Sequence, residues 1–507
     1  MIPFNPFNIG YGGAGGAFSS QTLAGFNSYS GTATADMMPV RWLLVSRSRQ
    51  LAISNPLAAA AIDRMTGGIV GDGLTYVSPD ESELSGVDPA FANDIKRRFN
   101  IVGHERLLDT QRRQNFLQMQ EMACRNWLLS GDIFYVRKQK EGRSSWRAIE
   151  ADRVCSPYYL PSNNEALDCL SIVRVNPENN NRIIDGVELD DDSIPVAYWI
   201  LKDYITKPFA VTEAQIERVP ATDGDGFPVV LHLFSPSRPD QYRGVPMLSE
   251  TIESLHATTG YIRSVEQAAQ FQSSIWGFIT SDNPTMDETE PLLSRDLDEP
   301  IPVAPKTEET PENAPTMQIT TESRNEADKR AWYDKMYPRP KTVSAGELWS
   351  LKPGEDVKFL QPTNPNAMFG EYIKSQCGML ASAIGIPLQV LACSYDGTYA
   401  SARGAVLEAN RVFKQKRGFF IDNFVRPVFE QFVYDETGDY ETAKILGMSS
   451  QWQAPTALCL DPTKELDAWT KAIDLGLVTR DEAAMAIYGH KSTGEPQKAA
   501  DININEV

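Results

Sequence analysis

The stretch from Arg238 to Ile275, RPDQYRGVPMLSETIESLHATTGYIRSVEQAAQFQSSI, restricts what this chain can fold into more than any other. It opens as a turn. Pro239, Asp240 and Gly244 punctuate it, and Pro246 fixes φ where a helix can begin. Leu248, Ile252, Leu255, Thr259, Ile262 and Ala269 then recur at steps of three, four or seven, which is a narrow seam on one helical face. Gly260 alone interrupts the run. The spacing predicts a helix over 246–275, about 45 Å long at about 1.5 Å per residue. A narrow seam on so long a helix suits side-by-side packing against other helices, in a bundle or a ring.

The rest of the chain must supply several cores. At 507 residues it exceeds what one core holds, and about two to four domains are expected. The net charge of −19 favours solubility and opposes tight DNA binding, which needs cations on phosphates. It leaves open a channel through which DNA slides without sticking. No run of 18 apolar residues and no basic-then-apolar leader is found, so neither a membrane span nor a signal peptide is expected. Cys124, Cys155, Cys169, Cys377, Cys393 and Cys459 are scattered without a CxxC and read as reduced, mostly buried thiols.

Met1 to Met38 is a glycine-rich arm with no charge before Asp36, expected to be flexible. Globular sequence starts near Pro39, with two helices broken at Asn55–Pro56. Ala90 to Leu129 reads as helix. Short apolar or alternating runs at 133–136, 149–154, 183–201 and 228–234 read as strands. Asp282 to Lys329 holds 13 acidic residues, four basic ones and seven prolines, a loop-rich acidic insertion. A second helix is predicted over Asn366–Gly385. The segment Pro387–Tyr399 is read as a loop, with a tight turn and positive φ at Gly397. A helix starting at Ser401 or Ala402 runs to about Tyr434, and Asp461 and Thr479 suit N-caps of two short helices.

Catalytic signals are missing from this sequence. His104, His232, His256 and His490 show no metal-ligand spacing, and no GxSxG or Walker A motif occurs. Gly71-x-Gly73 lacks the third glycine of a nucleotide loop and precedes a strand-like run. Glu188 with Asp190, Asp191 and Asp192 reads as a solvated turn before an ion site. Catalytic, cofactor-binding and metal residues are therefore expected to be none, and the chain is not expected to be an enzyme.

His232 to Pro246, followed by the long helix, resembles the signature of lambda-like phage portal proteins. The matching residues are Arg238, Pro239, Gln241, Arg243, Gly244 and Pro246. Further blocks agree in order: Arg41, Arg47, Arg49, Leu51, Asn55 and Pro56 near the start, Tyr399 to Arg403 with Ser401 and Arg403, and Trp452 to Gly489. The resemblance spans about 39–489 and is least clear in the middle. It implies an α+β portal fold. After the arm (1–38) come a mixed α/β wing (39–244), a first stem helix (245–275) and a clip with the acidic insertion (276–365). A second stem helix (366–386), a tunnel loop (387–400), a long wing helix (401–434) and a helical crown-side tail (435–507) follow. It also implies a homo-dodecameric ring at one capsid vertex of the virion, assembled in the host cytoplasm. Its implied partners are the terminase large subunit, a head-completion adaptor, the major capsid protein and scaffold, and double-stranded DNA passing non-specifically, with no membrane. The implied contact residues are Ser394, Tyr395, Asp396, Gly397, Thr398 and Tyr399 of the tunnel loop. The stem seam adds Leu248, Ile252, Leu255 and Ile262, whose cover is expected from neighbouring subunits. The tunnel loop carries no Lys or Arg, as suits a surface that lines a passage without gripping phosphates.

Overall fold

The computed structural model describes residues 31–77, 87–140, 142–156, 173–176, 178–203, 216–274, 277–281, 355–359, 369–395, 397–454, 462–480 and 483–484. The chain divides into two compact units, one formed by 1–259 with 370–507 and the other by 260–369.

The larger unit is built on one hairpin. Strand β2 (Asp132–Lys140) pairs antiparallel with β3 (Arg143–Glu150) on one side and β9 (Val230–Phe234) on the other. Its side chains alternate between faces, as a strand requires. Ile133 and Tyr135 enter one core, and Phe134 and Val136 enter a second. β2 is thus the wall between two cores. The second core is closed by a five-stranded antiparallel meander of β4 (Val173–Val175), β5 (Arg182–Ile184), β6 (Val187–Leu189), β7 (Pro195–Leu201) and β8 (Ile216–Pro220).

Helices fill the first core. α1 (Ala33–Ser54) starts under a Thr32 cap, so Ala33 to Met38, expected in the arm, are helical. α2 (Pro56–Ile69) begins where predicted. The Asn55 Oδ1 accepts from the Leu57 and Ala58 amides, and Pro56 sits at N1, where its missing N–H costs nothing. β1 (Thr75–Val77) pairs with β12 (Gln451–Gln453), joining chain regions far apart in sequence. The expected helix 90–129 is two helices, α3 (Pro89–His104) and α4 (Phe116–Ser130). Between them the buried Asp109 carboxylate accepts from the Gln111, Arg113 and Gln114 amides, which offers the backbone a better alternative than the helix ladder.

The predicted long helix is shorter at its start. A 3₁₀ turn at Ser249–Thr251 leads into α5 (Ile252–Ser274), about 35 Å long. α6 (Phe369–Ile384) ends on Gly385, whose φ of 79° and the Ile386 amide bond to the Ala381 carbonyl form a Schellman close. α7 (Leu388–Ala392) is a helix where a loop was expected. α8 (Tyr399–Phe420) continues through a π segment (Ile421–Val425) into α9 (Arg426–Thr437), with no break until Gly438. At about 1.5 Å per residue this rod is about 58 Å long. It packs on α2 at Gly68, where any Cβ would lie 2.5 Å from the Phe413 ring. α10 (Tyr440–Met448) and α11 (Pro462–Asp474) follow. Asp461 lies outside the described residues.

The smaller unit contains the C-terminal part of α5, from Gly260, and an antiparallel pair. β10 (Gly277–Ser281) lies on β11 (Glu355–Phe359) from Gly277↔Phe359 to Ser281↔Glu355. The acidic, proline-rich insertion lies between these strands in sequence and outside the described residues. The Tyr261 and Phe369 rings stack with centroids 6.0 Å apart.

Candidate functional site

The signature segment 238–246 folds into a clamp. The Gln241 Oε1 accepts from the Ser237 amide at 2.9 Å, the Ser237 hydroxyl at 3.1 Å and the Arg238 amide at 3.3 Å. These bonds hold Asp240 in a left-handed turn (φ 55°), with Pro239 before it. Arg238 reaches out to the Asp36 carboxylate at 2.5 Å and the Gly31 carbonyl at 2.8 Å, tying the start of α1 to the turn.

Arg243 points the other way and is fully buried. Its Nε donates to Asp132 at 2.6 Å. Its terminal nitrogens donate to the carbonyls of Asp185 (2.6 Å), Ala151 (2.8 Å) and Val154 (3.0 Å). Asp185 also places a carboxylate oxygen 3.2 Å from Arg243 and 2.5 Å from Arg41. The guanidinium fork therefore gathers the start of β2, the turn after β3 and the β5–β6 turn on one side chain, a pattern lysine lacks the geometry to make. Burial by itself raises the Asp132 pKa, but Arg243, His232 and Arg41 outweigh it and hold the carboxyl well below the usual range. Burial pushes His232 down to about 4, further lowered by Arg243 and Arg41 and opposed by Asp132, so the ring is neutral at physiological pH. It stacks between Phe134 (4.1 Å) and Phe234 (4.3 Å).

Two glycines let the clamp close. A Cβ on Gly244 would sit 1.9 Å from the Gly131 carbonyl oxygen, and one on Gly131, at φ 86°, would lie 2.5 Å from the Val245 backbone. The Gly244 amide donates to Asp132 at 3.2 Å. Pro246 then starts the approach to α5, its carbonyl accepting from Ser249.

The seam residues divide. Leu248, Ile252 and Leu255 are buried within the chain's own first core. The expectation that only a neighbouring subunit covers them is thereby corrected, because α5 begins inside this core and not in a free stem. The Asn55 amide nitrogen adds to that anchorage, donating to the Leu255 carbonyl at 3.3 Å and the Thr259 hydroxyl at 2.8 Å. Ile262 is half-buried.

The expected tunnel loop is shorter than predicted. Pro387 opens α7, so the loop proper runs from Cys393 to Thr398. Gly397 has the positive φ expected of it (157°), and Cys393 adds a left-handed residue (φ 50°) at the start of the loop. Ser394 is half-buried; Tyr395, Gly397, Thr398 and Tyr399 are exposed; Asp396 lies outside the described residues. The helix begins at Tyr399, ahead of the expected Ser401 or Ala402, because the Thr398 hydroxyl accepts from the Ser401 amide. Arg403 is exposed on the first turns of α8.

The acidic run offers no open ion site. The buried Glu188 carboxylate is taken by Arg218 (2.8 and 3.0 Å), Asn179 (2.7 Å), Asn181 (3.0 Å) and the Trp199 indole (3.0 Å). Burial raises its pKa and these donors lower it, to about 2. The Asp190 Oδ1 accepts from the Asp192 and Ile194 amides. Among the described residues no cluster of His, Cys, Asp and Glu is arranged to hold a metal ion.

The family model described as phage portal protein, lambda family, matches residues 19–417. The probable portal protein of Halomonas phage phiHAP-1 is 24% identical over 255 residues, covering 50% of this chain and 41% of that protein. The match thus spans about two fifths of that relative's length. Among solved structures, a chain in the neck of a native gene transfer agent particle, computed with C12 symmetry, is 13% identical with a TM-score of 0.44. The match covers 86% of this chain and 92% of that one. A chain in the neck of the empty particle is 14% identical, TM-score 0.45, covering 89% and 94%.

Proposed function

Since this chain belongs to the lambda family of phage portal proteins, we propose that twelve copies form a ring at one capsid vertex of the virion. The ring is the passage for double-stranded DNA during packaging and ejection. The observation that carries this is the family match over 19–417, which includes the clamp, α5 and most of α8. In this reading 276–365, with its β10–β11 pair, is the clip where the terminase large subunit docks first and a head-completion adaptor later. The loop 393–398 lines the passage, and the chain performs no catalysis.

The contacts between copies are assigned to apolar groups that the single chain leaves uncovered. Trp42 is 64% exposed and Ile53 82%. They lie eleven residues apart on α1, within about 20° of one helical face. Imaging of the purified full-length protein in negative stain tests the assembly: rings with a central hole are expected, and a compact monomer at micromolar concentration removes the reading.

A further inference from the structure

The far tip of the β2–β3 hairpin carries charge opposite to that of the chain. Arg137 to Arg147 holds five cations and one acid in a protein of net charge −19. The register places Lys138 opposite Ser145, Lys140 opposite Arg143 and Val136 opposite Arg147. Lys138, Lys140, Arg143 and Arg147 therefore share one face. That is the face on which Phe134 and Val136 enter the second core, and past Val136 the strand leaves that core. Lys138, Lys140 and Arg143 are exposed, and Arg147 is half-buried.

A second segment is bonded to the same hairpin. The Trp146 amide donates to the Leu108 carbonyl at 2.7 Å, and the Thr110 amide donates to the Trp146 carbonyl at 3.1 Å. The Thr110 and Ser145 hydroxyls lie 3.1 Å apart. This lays residues 108–110 along β3, and the turn that follows presents Arg112 and Arg113, both exposed. Its one acid, Asp109, faces inward on three backbone amides. The tip is fixed from behind, where Asp435 accepts from the Ser144 amide at 2.7 Å and its hydroxyl at 3.0 Å. Glu436 stands 3.5 Å from Arg143 and 3.0 Å from Arg98.

We propose that Arg112, Arg113, Lys138, Lys140, Arg143 and Arg147 form a docking surface for the phosphate backbone of duplex DNA, separate from the candidate channel loop. The loop 393–398 precedes the first turn of α8, whereas the tip is held by Asp435 and Glu436 at the far end of the same rod, about 55 Å away. The chemistry favours nucleic acid over an acidic protein. A stable protein partner needs a desolvated apolar or aromatic anchor at the centre of the contact. Among the described residues these six side chains surround none: Trp146 is 1% exposed, and the other exposed side chains of the hairpin are polar. A partner held by cations alone, on a rigid strand and a bonded turn, is one with regularly repeated surface charge, and releasing its counterions supplies the affinity.

The test measures binding of a mixed-sequence 30-base-pair duplex to the full chain by fluorescence anisotropy, from 25 to 200 mM salt. The parent is expected to bind with a log–log salt slope of up to about −5, the value for six phosphate contacts. R112Q/R113Q/K138Q/K140Q should weaken binding at least tenfold at the lowest salt and make the slope shallower by about three to four. K138Q/K140Q, which leaves the 108–113 turn intact, should give about half the change in slope. All four positions are exposed, so an unchanged thermal melt is expected and is checked alongside. DNA affinity equal to the parent's in the fourfold variant overturns the proposal. So does a parent that binds polyglutamate through these residues and DNA not at all.

Discussion

Arg243 shows what one buried cation does when every partner is supplied. It answers two carboxylates and three carbonyl oxygens drawn from three parts of the chain. Arg243→Ala leaves Asp132 buried without its counter-charge and is expected to cost about 3–5 kcal/mol, read as a lower urea midpoint. Gly244→Ala should be as damaging, since its methyl meets the Gly131 carbonyl. The pH dependence has a definite sign. His232 is neutral in the fold with its pKa lowered to about 4, while in the unfolded chain it titrates near about 6.5. Below about 6.5 the unfolded state binds the extra proton, so stability is lost as pH falls towards 4. The lowered pKa of Asp132 acts in the same direction at still lower pH: its contribution is present above about 3.9 and disappears as the carboxylate is protonated. His232→Phe keeps the stack with Phe134 and Phe234. It should flatten the decline between pH 6.5 and 4, and an unchanged slope in urea melts would assign that decline to other groups. The motif that holds Arg243 was legible in the sequence. Its partners were not, because Asp132 is 111 positions away and nothing in a linear pattern pairs the two.

Elements were legible where one face is apolar over several turns and obscure where they are short. The start of β2 at 133–136, the break at Asn55–Pro56 that opens α2, and the rod from Ser401 or Ala402 onward were read from the sequence. α7 did not, because five residues between Pro387 and Cys393 make too short a window for either period to show. The break between α3 and α4 hid behind good helix formers, and the carboxylate of Asp109 decides it. The π segment Ile421–Val425 also left no mark in the pattern. It accommodates one extra residue, just before Pro427, which cannot donate to the helix ladder. Deleting Asn423, which is exposed, removes that extra residue and should restore plain α-helix while Phe429 and Phe432 keep their places in the aromatic group around Phe99 and Trp452. The melting temperature in circular dichroism should stay close to the parent's, whereas a fall of more than about ten degrees would show that α9 had turned by about 100° and pulled both rings out. A loss of about 1 kcal/mol is expected for Thr398→Ala, for the lost N-cap.

For the whole molecule, the order of blocks along the chain pointed to the family, while the surfaces between copies could not be read. The seam pattern was real, but apolar periodicity does not say whether a helix buries its face in its own core or a neighbour's. Trp42→Asp with Ile53→Asp is therefore expected to reduce ring mass in light scattering while the melt of the single chain holds, and rings of parental mass would place the contacts elsewhere. Ser394→Lys with Asp396→Lys puts two cations per copy on the candidate channel loop; DNA binding should rise at least tenfold at low salt and become steeply salt-dependent. Rings whose DNA binding is unchanged would remove the loop from the passage. The clamp finally imposes a schedule on synthesis. Asp132 leaves the ribosome 111 residues before Arg243. At about 5–20 residues per second this is roughly 6–22 s during which the first half of the chain has its acids ready and no latch. Nascent chains arrested before Arg243 should be cut readily by protease, and those arrested some 40 residues beyond Gly244 should resist.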